Sequence, residues 1–311
     1  MDACGVRARG SPKKSVAVCR GGKHPKGNET RVLSVPSRSI TSYLGGKAKC
    51  AQHIIDALNH PMFNGLHYVE PFVGYAHILR RVENKASYRA SDANPLLIVL
   101  LLAVQQKREL PRVATRDDYN ALRDNRAADP LARAVAAFTY SFNGKEWGGY
   151  VSTYERRDGR VDDIPASRRR YYDRLASNAV FASTVLQRVS YADLAPHDCL
   201  VYCDPPYDKT TRYRNAEQWN ADAFWQTMRE WSATNVVFVS EYDAPDDFVC
   251  VAHARKMSCV AGGKNQSART ENLYVHTSAL ARTQFSDRAG PAPPHLDIDL
   301  SPPGGGGGAA V

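Results

Sequence analysis

The sequence lacks the cysteine spacing that a zinc site or a disulfide framework requires. It contains seven cysteines among 311 residues, an odd number. None of them forms a CxxC pair or a Cys/His group with ligand spacing. A zinc site and a disulfide framework are therefore both disfavoured. We expect an intracellular protein, cytoplasmic or nuclear, that holds no metal.

Long apolar runs are also missing. The stretch from Pro95 to Val104 is about half as long as a membrane-spanning helix, so it indicates a buried helix instead. We find no signal peptide and expect no membrane association. With 43% hydrophobic residues, the chain is long enough for one large or two modest domains.

Net positive charge is scarce outside the beginning of the chain. Of the formal charge of +9, residues 1–40 carry +7. The rest of the chain has 32 basic and 30 acidic residues, so any face that binds nucleic acid must be a local patch. Residues 1–37 predict a disordered basic tail, either solubilising or DNA-tethering, and residues 283–311 predict a disordered Pro/Gly-rich tail.

The stretch from Leu200 to Tyr207 joins an apolar strand to a carboxylate and a stiff turn. Pro205 and Pro206 remove two backbone donors and end the strand, while their carbonyls stay able to accept hydrogen bonds. This arrangement suits methyl transfer to an amine conjugated with a ring, because Asp204 and the Pro205 carbonyl can bind both amine hydrogens as positive charge develops. Tyr207 would stack on the ring. A strand-ending turn in which the aspartate caps an amide is the alternative.

Two earlier segments also predict strands that end in acids. Residues 66–79 predict a strand ending at Glu70, a tight turn at Gly74 and a helix, which is the first crossover of a doubly wound sheet. The next strand ends at Asp92, where an acid can bind a ribose diol. Asp92 and Asn94 could instead only begin and cap a helix.

A glycine pair, Gly45-Gly46, precedes Lys47 and a helical pattern. Such a turn lets backbone N–H groups and a lysine approach an anionic group, here a carboxylate. An ordinary loop would have the same composition.

Four motifs, in this order, resemble those of the Dam-type (D12 class) DNA adenine-N6 methyltransferases: residues 43–47, 70–74, 92–94 and 204–207. The resemblance covers roughly residues 38–278. It implies an α/β fold, namely the Rossmann-like sheet of S-adenosylmethionine-dependent methyltransferases, with an inserted and mainly helical DNA-recognition subdomain. The implied catalytic domain comprises residues 38–106 and 179–282, and the insertion comprises residues 107–178.

The resemblance also implies roles for individual residues. Catalytic residues that hold the target adenine are Asp204, Pro205, Pro206 and Tyr207. Residues that bind the methyl donor are Tyr43, Gly46, Lys47, Glu70, Phe72, Gly74, Asp92, Asp193 and Asp204. One departure from the family pattern is Ala76, where the family often has a second glycine, and we expect a tighter pocket from it.

The insertion interleaves arginines with aromatic residues, which can grip phosphates, read a guanine edge and fill the gap left by an extruded base. Candidate DNA-binding residues are Arg123, Arg126, Asn143, Lys145, Arg156 and Arg157. The run Arg168-Arg169-Arg170 before Tyr171 and Tyr172 has the same character. Because the segment also contains many acids, a solvated helical subdomain without DNA contacts is the alternative.

The expected function is transfer of a methyl group from S-adenosylmethionine to the N6 amine of adenine in a specific sequence of double-stranded DNA, by base flipping. The enzyme would be a site-specific, adenine-specific DNA methyltransferase without a metal. We expect a monomer, and a cognate restriction endonuclease is a candidate partner. Alternatives are methylation of cytosine N4, RNA or protein glutamine, or a catalytically silent DNA-binding protein. Cytosine-C5 methylation is disfavoured because Cys203 does not follow a proline.

Overall fold

The computed structural model describes residues 51–156, 158–206, 219–257 and 268–279. The two predicted tails and the motif at residues 43–47 lie outside the described residues. The helices are α1 (Gln52–Leu58), α2 (Pro95–Gln105), α3 (Arg116–Asp124), α4 (Pro130–Thr139), α5 (Ile164–Ala176), α6 (Ala179–Ser183) and α7 (Ala221–Trp231). The strands are β1 (His67–Glu70), β2 (Ser87–Ser91), β3 (Thr153–Glu155), β4 (Val161–Asp163), β5 (Val185–Gln187), β6 (Cys199–Cys203), β7 (Val236–Glu241), β8 (Phe248–Met257) and β9 (Ala268–His276).

A sheet of seven strands forms the centre of the fold, in the order β5-β2-β1-β6-β7-β9-β8. The first five strands in this order are parallel to their neighbours, whereas β9 pairs antiparallel with both β7 and β8. The order reverses beside β1, as it does at the ligand-binding edge of doubly wound sheets. The predicted α/β, Rossmann-like fold class is confirmed.

Both faces of the sheet are buried, as a parallel sheet requires. Strand β6 illustrates this best, since all five of its residues are buried. Leu200 and Tyr202 belong to the larger apolar cluster, which includes residues of α1, α2 and α4. Val201 and Cys203 belong to the opposite cluster, which includes Phe224 of α7. Because β6 ends at Cys203, the next residue, Asp204, lies at the rim of the sheet.

The predicted buried helix is α2, and its beginning explains the polar residues before it. The side chain of Asn94 accepts hydrogen bonds from the backbone N–H groups of Leu96 and Leu97, and Pro95 occupies the first turn. This is a standard N-cap. The capping alternative therefore holds for Asn94, whereas Asp92 accepts hydrogen bonds from the N–H groups of Gly74 and Asn94. In the part of the chain that the structure describes, no helix is both long and apolar enough to cross a membrane.

The helix predicted after Gly74 is wrong. Residues 71–78 form successive turns, followed only by a short 3-10 helix at Leu79–Arg81. Gly74 and Ala76 adopt φ values of 49° and 56°, in the left-handed region that an α-helix excludes. Ala76 is fully buried in this conformation, so the turn holds a residue where glycine would be less strained.

Residues 107–178 contain α3, α4, the β3–β4 hairpin and α5. Helix α4 packs against α2 and α5. The interpretation of Arg168 as a DNA contact is wrong, because its side chain is buried and its Nη1 donates to the carbonyls of Phe138, Thr139 and Ser141 at 3.1, 2.7 and 2.7 Å. A buried guanidinium here caps the carbonyl end of α4.

Tyr171 and Tyr172, which follow the arginine run, are buried too. Their rings belong to the larger apolar cluster. They are therefore core residues and do not fill a gap in DNA. Arg169 also bonds internally, donating to the carbonyls of Leu110 and Pro111 at 2.9 and 2.7 Å.

We predict that Arg168→Met lowers the free energy of unfolding by about 3 kcal/mol, because it leaves buried carbonyls without a donor. Arg170→Met is the matched control, since Arg170 is exposed and donates to the Ser167 Oγ in its own helix. That change should stay within about 0.5 kcal/mol. Chemical denaturation followed by circular dichroism measures both. Equal effects of the two substitutions would contradict the capping role.

Candidate active site

The carboxyl ends of three adjacent parallel strands bring acidic residues to one edge of the sheet. Glu70 is the last residue of β1, Asp92 follows β2 and Asp204 follows β6. Since β1 lies between β2 and β6, the three residues stand side by side at the edge where doubly wound sheets bind ligands. The motif that begins at Asp204, more than a hundred residues after the other two, thus lies at the same edge as they do.

Glu70 is the most deeply buried of these acids. Its Oε2 accepts a hydrogen bond of 2.7 Å from the Tyr68 hydroxyl. Burial raises the pKa of Glu70 well above its ordinary value, and the charge of Asp204 raises it further, while hydrogen bonds from Tyr68 and the Leu79 N–H act in the opposite direction. Glu70 and Asp204 stand at the carboxyl ends of the neighbouring parallel strands β1 and β6.

Asp92 joins the two turns that follow β1 and β2. Its Oδ2 accepts from the Gly74 N–H at 3.2 Å and its Oδ1 from the Asn94 N–H at 2.9 Å. Burial raises the pKa of Asp92 to about 6, against the effect of these two hydrogen bonds, and the charge of Glu146 contributes in the same direction as burial. Each carboxylate oxygen has a second lone pair, which can accept a ligand hydroxyl.

The predicted catalytic motif begins directly at the rim of the sheet. Strand β6 is held in place by Tyr202, whose hydroxyl lies 2.9 Å from the Ser240 Oγ of β7. Asp204 and Pro206 are partly exposed, whereas Pro205 is buried. Tyr207 lies outside the described residues, as do the predicted donor-binding residues Tyr43, Gly46 and Lys47.

An aromatic wall borders the crevice next to the turn after β1. The ring of Phe72 lies 5.3 Å from that of Tyr191, 6.2 Å from that of Trp219 and 6.0 Å from that of Phe224. Phe72 is a predicted donor-binding residue, whereas its neighbours Tyr191 and Trp219 were not predicted. Their only sequence signal was aromatic character close to the motifs. Asp193 is exposed, on the short 3-10 turn Tyr191–Asp193.

Two of the predicted DNA-binding arginines form ion pairs within the chain. Arg123 binds both carboxylate oxygens of its neighbour Asp124, at 2.7 and 2.9 Å. Arg156 binds Asp162 across the β3–β4 hairpin at 2.5 and 2.8 Å. Each pair occupies two N–H groups of the guanidinium and offsets the charge that would attract a phosphate.

The other candidates on the inserted segment differ in exposure. Arg126 is exposed between α3 and α4, and Asn143 is exposed with a φ of 53°. Lys145 is partly exposed on the same loop as Asn143. Arg157 lies outside the described residues. Among those described, no group of three or more His, Cys, Asp or Glu side chains is arranged to hold a metal ion.

Comparison with known proteins identifies the family. The model of the D12 class N6 adenine-specific DNA methyltransferases matches residues 43–280. DNA adenine methylases of Salmonella typhi and of Salmonella typhimurium strain LT2 are each 27% identical over 213 residues, which is 62% of this chain and 73% of theirs. Among solved structures, the rRNA methyltransferase aviRa from Streptomyces viridochromogenes is 14% identical with a TM-score of 0.36, over 79% of this chain and 93% of that one.

The family match spans the whole central sheet and all three acidic strand ends. It confirms the relationship that the four sequence motifs indicated. The protein belongs to the D12 class N6 adenine-specific DNA methyltransferases, which take their methyl group from S-adenosylmethionine.

Proposed function

We propose that this protein is a site-specific enzyme that methylates the N6 amine of an adenine in double-stranded DNA, after the base has been turned out of the helix. The observation that carries the proposal is the position of Asp204 and Pro205 at the end of β6, in the same crevice as Glu70 and Asp92. An adenine inside a duplex cannot reach such a crevice, so the base must be flipped.

The crevice suits the chemistry of S-adenosylmethionine. When bound, this donor supplies an electrophilic methyl group on a sulfonium. Asp92 has acceptor oxygens for the ribose hydroxyls, and the aromatic wall of Phe72, Tyr191 and Trp219 provides apolar surface for the adenine ring. The carboxylate of Glu70 favours a cationic ammonium at the methionine end, next to Gly74. The donor contacts predicted for Tyr43, Gly46, Lys47 and Asp193 stay predictions.

Asp204 and Pro205 would stabilise the charge that develops on the target amine. As the nitrogen attacks, its lone pair leaves the ring and the nitrogen becomes positive. The Asp204 carboxylate and the Pro205 carbonyl each accept one amine hydrogen, so their negative ends face this charge. Because prolines lack an N–H, this part of the turn offers acceptors only. The amine loses its proton after it has become cationic, so no strong base is required.

The inserted segment would supply contacts to DNA. Its exposed or partly exposed candidates are Arg126, Asn143 and Lys145. Arg123 and Arg156 would join them by exchanging their carboxylate partners for phosphates. The contact by Arg157, the boundaries of the inserted subdomain, the monomeric state and a restriction endonuclease as partner stay predictions.

We predict that Asp204→Ala lowers kcat for methyl transfer by about a hundredfold to a thousandfold, because an acceptor for developing charge is lost. Transfer of tritium from labelled S-adenosylmethionine measures the rate with DNA, RNA and protein offered separately. Asp173→Ala, which removes an exposed carboxylate on α5, is the matched control. A wild-type rate in Asp204→Ala, or labelling of RNA or protein in place of DNA, would contradict the proposal.

The donor affinity should depend on pH through Asp92. Since the pKa of Asp92 is raised to about 6, we expect the Kd for S-adenosylmethionine to increase as the pH falls through this value and the carboxylate becomes protonated. Calorimetric titrations between about pH 3 and pH 8, a range that contains both the ordinary aspartate pKa and the raised one, test this. Asp92→Asn should bind more weakly and show no such step. A step near the ordinary aspartate pKa would contradict the raised value.

The same raised pKa has a consequence for stability. A carboxyl whose pKa is higher in the folded state favours folding when it is protonated, and this contribution is lost as the pH rises through about 6. Asp92→Asn should therefore increase the free energy of unfolding at pH 8 relative to wild type, and the gain should shrink towards pH 5. Urea denaturation at the two pH values measures it. A gain that grows towards low pH would contradict the sign.

A further inference from the structure

Backbone hydrogen bonds fix the conformation of the loop of residues 141–150 in the inserted segment. The N–H of Phe142 donates to the Gly149 carbonyl at 2.7 Å, and the N–H of Gly148 donates to the Lys145 carbonyl at 2.9 Å. A Cβ at Gly148 would lie 2.8 Å from the Phe142 oxygen, which no real side chain tolerates. The loop therefore closes on itself through its own backbone.

Contacts with buried residues anchor this loop to the rest of the inserted segment. The hydroxyl of Tyr119, a residue only 1% exposed, accepts from the Gly149 N–H at 3.2 Å and lies 2.8 Å from the Ser141 Oγ. The Trp147 N–H donates to the Ala137 carbonyl of α4 at 3.3 Å. Residues between these anchors are consequently held at fixed positions.

Glu146 lies in this loop and reaches out of the inserted segment. Its Oε2 accepts a hydrogen bond of 2.8 Å from the Nδ2 of Asn94. The other end of that amide is already engaged, since Oδ1 of Asn94 caps α2 by accepting from Leu96 and Leu97. Both ends of the amide are thus used, and its orientation is fixed.

Asn94 in turn belongs to the proposed donor site. Its N–H donates to Asp92, and the other oxygen of Asp92 accepts from Gly74. Continuous hydrogen bonds therefore run from Glu146 through Asn94 and Asp92 to the turn after β1. Each of these residues lies 52 positions or more from Glu146 in the sequence.

A second tie joins the same two parts of the molecule. The Tyr75 hydroxyl donates at 3.3 Å to the carbonyl of Gly144, two residues before Glu146 in the loop. The Tyr75 carbonyl accepts from the Tyr171 hydroxyl of α5 at 2.6 Å. The turn that contains Gly74 is thus held from both sides by the inserted segment.

We propose that Glu146 is a positioning residue for methyl-donor binding, which holds the Asp92–Asn94 turn in its productive geometry from the DNA-recognition segment. This inference rests on the proposed function of Asp92. Glu146 touches neither the donor nor the target base, and acts through Asn94. The inserted segment therefore completes the donor site in addition to contacting DNA.

The hydrogen bond, and not the charge, must be the useful property of Glu146. A second negative charge disfavours ionisation of Asp92, as the raised pKa of Asp92 reflects. An amide oxygen at the same place would accept the same bond from Asn94 without that charge. The two contributions can therefore be separated by substitution.

The experiment compares Glu146→Ala, Glu146→Gln and the control Glu109→Ala in the full chain, where Glu109 is exposed in the connection after α2. Calorimetry gives the Kd for S-adenosylmethionine without DNA. Tritium transfer to DNA gives kcat and the KM for S-adenosylmethionine. We expect Glu146→Ala to raise Kd and KM about tenfold, from loss of the hydrogen bond to Asn94, with kcat within about twofold. Glu146→Gln should bind at least as tightly as wild type, and Glu109→Ala should be unchanged.

Wild-type donor affinity in Glu146→Ala would overturn the proposal, and so would an equal loss in Glu146→Gln. Thermal unfolding of each variant separates loss of binding from loss of fold, and the Gln variant keeps the test valid if the Ala variant unfolds. Failure of the proposed function itself would look different. Wild-type protein would then bind no donor, or would transfer no methyl group to DNA.

Discussion

The structure depends on keeping carboxylates close together at the edge of an otherwise apolar sheet. Parallel pairing of β2, β1 and β6 brings Asp92, Glu70 and Asp204 to one crevice, and burial raises the pKa of the first two. Such a cluster is unfavourable for the empty protein, because like charges repel and are partly desolvated. It is suited to a reaction with a cationic sulfonium donor and an amine that becomes cationic, since the acceptors are oriented before the charge appears.

The inserted segment supports this edge from outside the sheet. Arg168 caps the end of α4 and bonds the Ser141 carbonyl, where the loop of residues 141–150 begins. From that loop, Glu146 reaches Asn94 and thereby the turn that contains Asp92. Hydrogen bonds thus connect the inserted segment to the sheet through Arg168, the loop of residues 141–150 and Asn94. Methyl transfer to DNA needs both substrates at once, and this connection would give the proposed donor site and the inserted segment a shared framework.

Sequence patterns predicted helices and strands well where the local sequence determines them. They predicted poorly where contacts with distant parts of the chain determine the backbone conformation. Strands β1, β2 and β6 and helix α2 lie where apolar patterns indicated. The helix expected after Gly74 is absent because Ala76 adopts a positive φ that no apolar pattern reveals. Strand β8 was not foreseen: it lies at the edge of the sheet, where Val249 and Val251 are exposed and burial leaves little alternation to detect.

The amino-acid order by itself determined the family, the α/β class and the acids at three strand ends, because these depend on short motifs and on strand-ending prolines and glycines. Only the tertiary structure decided what each polar side chain bonds. Three consecutive arginines look alike in the chain, yet helical rotation buries Arg168 and exposes Arg170. Glu146 carries no signal in the chain, since its partner Asn94 lies 52 residues away. Hydrogen bonds at such separations exist only after the backbone has brought the two groups together.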